Sequence, residues 1–257
     1  MKSSEPIFNI PRVVVATIAV LAAIHALRSL VLTPGEDLEV LLRFAFIPAR
    51  LGTALAAQGE FPGGFGADVW TFVTYALLHS DWVHLGVNTV WLLPFGTAVA
   101  RRFGTIRFLL MFAVTAAAGA AVHLFTHRMQ IAMANSNDLV IMIGASGAVS
   151  GFMAAAIRFA FQQGGPLENW RTAGPESYRI PAAPLGVALR NPRVFLFLAI
   201  WLVLNFVFGI GGSFVPGSAN EIAWQTHLGG FLAGLLLFPL FDPVRAMQHG
   251  DDGDERS

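Results

Sequence analysis

Cysteine is absent from the 257 residues of this chain. That excludes disulfides, thiolate metal sites and a cysteine nucleophile, and it leaves the redox compartment open. Charge is scarce too: Asp, Glu, Lys and Arg make up 12% of the residues, against about 25% in soluble domains. Formal net charge is zero and there is no basic block, which argues against a nucleic-acid partner. An HExxH metal motif is missing as well. What the chain has instead is apolar bulk. Hydrophobic residues reach 55% and mean hydropathy is +0.61, the composition of a membrane protein.

Six apolar runs are long enough to cross a bilayer or come close to it. They cover about residues 13–32, 70–100 (with the crossing part beginning near Trp82), 108–125, 139–161, 194–210 and 222–241. The first follows Lys2 and Arg12 as in a signal peptide, but its length and the lack of a small-x-small cleavage site read as a retained helix. The long connection at 33–68 carries Glu36, Asp37, Glu39, Glu60 and Asp68. Its stretch VLLRFAFIPARLG is amphipathic, FPGGFG breaks helices, and together they predict a structured interfacial loop. The expected division is a cytoplasmic segment at 1–11, a membrane domain at 12–242 and a cytoplasmic tail at 243–257.

Basic residues set the expected orientation. With the N-terminus inside, Lys2, Arg12, Arg101, Arg102, Arg107, Arg158, Arg171, Arg179, Arg190, Arg193, Arg245 and Arg256 are all cytoplasmic. Only Arg28, Arg43, Arg50 and Arg128 fall outside, so the positive-inside rule places both termini in the cytoplasm. The second, fourth and sixth spans then run from outside to inside.

Near the outer ends of these three spans lie His84 and Asn88, Ser146, and His227. Each is expected one to two turns into its helix. Polar side chains are costly in a membrane and mark function when several converge. His227, Gly230 and Gly234 share a helix face, as do Gly147 and Gly151, so the fourth and sixth spans can approach closely. Close approach is what a Ser146–His227 hydrogen bond requires. His84 and Asn88, four apart, offer hydrogen-bond donors for an oxyanion. The plainer alternative for each is interhelical packing and hydrogen bonding without chemistry.

The stretches Gly144-Ala145-Ser146-Gly147, HSDWVHLGVN from His79 to Asn88, and His227 with Gly230 and Gly234 together resemble the rhomboid family of intramembrane serine proteases. The resemblance spans nearly the whole chain. It implies an all-α membrane protein with a six-transmembrane-helix rhomboid-like bundle, of the basic bacterial type. It further implies Ser146 as nucleophile, His227 as general base, and His84 and Asn88 with the Ser146 amide as the oxyanion hole. Trp201 is similar to the family's aromatic at the lateral gate, and residues 209–220 to its cap over the site. Implied partners are transmembrane protein substrates and the lipid bilayer; no cofactor or metal is called for, and nothing sets an oligomeric state. The chain differs from many relatives in having Ser150 one turn below the nucleophile, Ala100 after the second span, and no Trp-Arg pair in the first loop.

With no aspartate nearby, the tautomer of His227 must be set otherwise, and Ser150, on the same face as Ser146, is expected to contribute a hydrogen bond to that imidazole or to a local water. Two other functions stay open at this level. One is a catalytically silent rhomboid-like module that binds membrane proteins. The other is a metal transporter or sensor using His79, His84, His123, His127 and His227, with His123 and His127 spaced to chelate. The absence of an intramembrane carboxylate counts against the metal.

Overall fold

A computed structural model describes residues 10–52, 61–134, 139–168, 174–210 and 223–244. Among these residues eight helices follow in order: α1 Arg12–Leu30, α2 Pro34–Phe44, α3 Gly64–Thr74, α4 Trp82–Ala134, α5 Ser146–Ile157, α6 Leu185–Arg190, α7 Pro192–Ile210 and α8 Trp224–Phe241. Three short 3-10 turns punctuate them. Among the described residues the only extended pairing is one antiparallel bridge, Phe46 with Met142.

Length and apolarity mark α1, α4 and α8 as membrane-spanning, with α5 and α7 as shorter apolar rods. Helix α4 is two spans in one. Gly104 sits at φ 76°, ψ 174°, outside helical space, in a region open to glycine for want of a Cβ. A Cβ on Gly96 would lie 3.5 Å from the Phe108 ring, whereas a straight helix would hold these residues about 18 Å apart. The chain therefore doubles back at Gly104. Six apolar rods result, and the fold is an all-α membrane bundle.

The described parts of the first loop, residues 33–52 and 61–68, are structured, but they do not simply lie at an interface. Thr33 and Glu36 form a reciprocal capping box with Pro34 in the first turn, which starts α2. The helix stops at Phe44, and the chain then dives inward, with Ala45 and Phe46 fully buried. Phe46 exchanges backbone hydrogen bonds of 3.1 and 2.9 Å with Met142. Only part of FPGGFG breaks helix: Gly63, at φ +100°, precedes α3, whose first three residues are Gly64, Phe65 and Gly66. The second span begins at Trp82; residues 70–81 belong to α3, a 3-10 turn and an irregular step.

The fourth span is shorter than its apolar run. Residues 139–145 are not helical, and α5 starts at Ser146 itself. The run is held open by the Met142–Phe46 bridge and by a 3.0 Å bond from the Gly144 N–H to the Tyr75 carbonyl. Gly144 itself has φ +124°. Twelve residues make a rod of about 18 Å, well short of a bilayer core of about 30 Å. Every residue from Gly147 to Ile157 is buried, and α5 packs against α4 and α8.

Two ion pairs tie the rods together at their ends. Arg28, closing α1, contacts Asp37 of α2 at 2.7 Å and donates to the His79 carbonyl at 2.9 Å. Arg102, in the first arm of α4, meets Asp242 just past α8 with two bonds of 2.8 Å. It also donates to the carbonyls of Tyr178 and Ile180. The expected terminal segments lie outside the described residues, apart from Ile10, Pro11, Pro243 and Val244.

Candidate active site

The centre of the site is the crossing of α5 and α8. A Cβ on Gly230 would run into the Gly147 carbonyl oxygen, and one on Gly234 into that of Gly151. Backbone therefore touches backbone, which only glycine permits. Ser146 directly precedes Gly147, and His227 lies three residues before Gly230. Both side chains are part-buried. Among the described residues no hydrogen bond joins them; the one described for His227 goes elsewhere. Such bonds are often loose in unliganded enzymes and tighten when substrate binds.

Ser146 opens α5 rather than lying one to two turns inside it. This correction has a chemical consequence. The first N–H groups of a helix lack intrahelical acceptors and carry the positive end of its dipole. The Ser146 hydroxyl therefore stands beside unpaired amide donors, where a developing negative charge is favoured.

Helix α4 brings His84 to the same place, with Asn88 one turn further along the helix. A Cβ on Gly144 would lie 2.7 Å from His84 Nε2 and 3.8 Å from Ser146 Oγ, so imidazole and hydroxyl flank the same glycine. His84 also acts electrostatically on His227. Asn88 is 4% exposed and commits one amide hydrogen to the His84 carbonyl at 3.0 Å; the other has no partner among the described residues. The start of α4 is fixed by Asp81, whose carboxylate accepts from the His84 backbone N–H at 2.8 Å and from the Ser80 hydroxyl at 2.7 Å. The His84 N–H, first among these contacts, holds the Asp81 carboxyl below the ordinary carboxylate range.

Because Ser80 spends its hydrogen on Asp81, it can only accept from His84 Nδ1, 3.0 Å away. Nδ1 of His84 is thus protonated, and its Nε2 becomes a donor only when the ring is an imidazolium.

Sequence reasoning missed His227's partner. His227 Nδ1 lies 2.6 Å from Asn205 Oδ1 on α7. Ser150 is buried at 3% exposure, and among the described residues the direct partner of the imidazole is Asn205 instead. The signal was available: Asn205 is the only amide side chain in the apolar run PRVFLFLAIWLVLNFVFGI, and a polar residue there marks function by the rule already applied to Asn88. Trp201 is buried and stacks on Phe231 of α8, with centroids 4.6 Å apart. Phe206 and Trp224 stack nearer the ends of the same two helices, at 5.7 Å. The cap expected at 209–220 lies outside the described residues apart from the last turn of α7.

Two further supports went unread. Tyr75 donates to the Ala116 carbonyl at 2.9 Å, and its hydroxyl lies against Gly147. His79 Nε2 accepts from the Ala145 N–H at 3.5 Å, steadying the turn before Ser146. His123 and His127 stack at 6.3 Å, and among the described residues no three His, Asp or Glu side chains form a metal-holding group.

These features define a class: an all-α membrane bundle with a serine and a histidine presented from two helices in glycine contact. No curated protein matches the chain significantly. The family model for the rhomboid domain matches residues 66–242. More than half of the chain is covered, and the chain belongs to the rhomboid family, whose members are generally intramembrane serine proteases.

Proposed function

We propose that the protein is an intramembrane serine endopeptidase using a Ser146–His227 dyad. The observation that carries this reading is the glycine contact of α5 with α8, which sets a hydroxyl and an imidazole beside one backbone crossing. His227 takes the Ser146 proton as the oxygen attacks the peptide carbonyl, then gives it to the leaving amine. The tetrahedral oxyanion is met by the Ser146 N–H, the other amide hydrogen of Asn88 and, when charged, His84 Nε2. Water then hydrolyses the acyl-enzyme. The expected substrates are membrane-spanning proteins cut near the outer surface, in a bacterial inner membrane with both termini of the enzyme cytoplasmic.

One observation favours a second reading. The missing Ser146–His227 hydrogen bond suits a silent module that binds transmembrane segments without cutting them. A fluorophosphonate probe and a reporter transmembrane segment, applied to the purified protein in detergent, separate the two. The protease reading expects labelling and cleavage by the wild type, and neither by Ser146→Ala or His227→Ala. A folded wild type that neither labels nor cleaves overturns it in favour of the binder.

A further inference from the structure

We infer that Asn205 is a positioning residue that fixes the tautomer and orientation of the His227 imidazole, so that α7 contributes to the reactivity of Ser146. The inference rests on the dyad reading for its functional consequence, while the tautomer itself can be tested without it.

The argument begins with the amide. Asn205 Nδ2 donates to the Trp201 carbonyl one turn earlier, at 3.0 Å. A carbonyl can only accept, so the amide's nitrogen must face Trp201 and its oxygen must face His227. Flipping the amide would set two oxygens against each other. Oδ1 can only accept, so Nδ1 of His227, 2.6 Å away, must carry the hydrogen. In the neutral ring the lone pair is then on Nε2, the nitrogen left for a nucleophile's proton. This is the task a buried carboxylate performs in a three-membered catalytic set. An amide performs it without adding charge inside the membrane, where a carboxylate is expensive.

The seam between the helices maintains this geometry. Trp201 meets Phe231, Asn205 meets His227, and Phe206 meets Trp224. Partners advance by four on α7 while receding by four on α8 from the first pair to the second, the register of antiparallel helices. Around this seam α7 is open: Leu202, Val203, Leu204 and Val207 are all exposed. Among the described residues, α5 (Ser146–Ile157) carries no charged side chain, and the side chain α7 presents to the imidazole is the neutral Asn205. The titratable group acting on it among the described residues is His84 of α4.

Two measurements test the inference. The first is the 15N spectrum of the imidazole nitrogens of the full-length protein, with His227 identified by the signals lost in His227→Asn. The wild type is expected to show Nδ1 protonated and Nε2 bare, and Asn205→Leu to lose that preference. An Nε2-protonated ring in the wild type overturns the inference, whatever the enzyme does.

The second is the rate of fluorophosphonate labelling of Ser146 from about pH 5 to 9, the range in which histidine titrates. Asn205→Leu should slow labelling about 10- to 100-fold, by analogy with the cost of losing a residue that orients a metal-bound histidine. Asn205→Asp should recover most of the rate at high pH. Its acidic limb should move up by about one pH unit or more, because a carboxylate beside the ring favours the imidazolium. The shifted limb reports that position 205 faces the ring, and the loss of rate in Asn205→Leu with recovery in Asn205→Asp separates orientation from mere packing. Wild-type rates in Asn205→Leu, or an unmoved limb in Asn205→Asp, overturn the inference. A wild type that never labels refutes the protease reading instead and leaves the spectrum to decide on Asn205.

Discussion

Gly230→Ala is the sharpest perturbation of the α5–α8 crossing. The added methyl would overlap the Gly147 carbonyl oxygen, and a carbon rests against such an oxygen at about 3.3 to 3.6 Å. The obstacle is backbone in the centre of the bundle, so no rotamer change relieves it. The helices must part by more than about 1 Å to restore that contact. Overpacking of this kind costs about 1 to 3 kcal/mol. The chemistry should suffer more, since a displacement of about 1 Å between reacting groups can reduce rate about 100-fold. Thermal unfolding in detergent reads the first effect and fluorophosphonate labelling the second. Gly186→Ala is the matched control, because a Cβ there meets nothing within 4 Å, and its stability and labelling should be nearly those of the wild type. Wild-type melting and labelling in Gly230→Ala would refute the claim that backbone contact at this crossing holds the site together.

Other expectations follow from the same contacts. Arg102→Ala leaves Asp242 buried without its partner; the side chains are 0% and 8% exposed, so the loss should be about 3 to 5 kcal/mol, read as a large fall in Tm. Arg102→Lys should recover little, because one ammonium cannot replace the paired contacts of the guanidinium; full recovery would show that charge alone matters. Asp81 has a lowered pKa in the folded protein. Its contribution is therefore present above its unfolded value of about 3.9 and is lost as pH falls through the lower folded value. Asp81→Asn, which can still cap α4, should match the wild type near neutrality and lose less stability on acidification, as checked by melting curves at descending pH.

Much of this protein was legible in its sequence, for reasons that are local. Apolar composition and span length report the solvent around a helix, so the membrane bundle needed no tertiary information. Polar residues in apolar helices are few, and their sum pointed to Ser146, His227, His84 and Asn88 as the candidate site. Spacings of three, four and seven gave the glycine faces, because they reflect the geometry of one helix alone. The same rules failed where an apolar run was read as continuous helix. The run at 139–161 looks uniform, yet its first part is pulled out of helix by Phe46 and Tyr75, both more than sixty residues away along the chain.

Only the tertiary structure could decide contacts between residues remote in sequence. It started α5 at Ser146, leaving unpaired amides beside the hydroxyl. It chose Asn205 rather than Ser150 as the partner of His227, since a tautomer is set by whichever acceptor another helix delivers. It joined Arg102 to Asp242 across 140 residues. Composition and periodicity are properties of a segment and can be read from it. A hydrogen bond between helices depends on how several segments stack at once, and that stacking is encoded in no one of them.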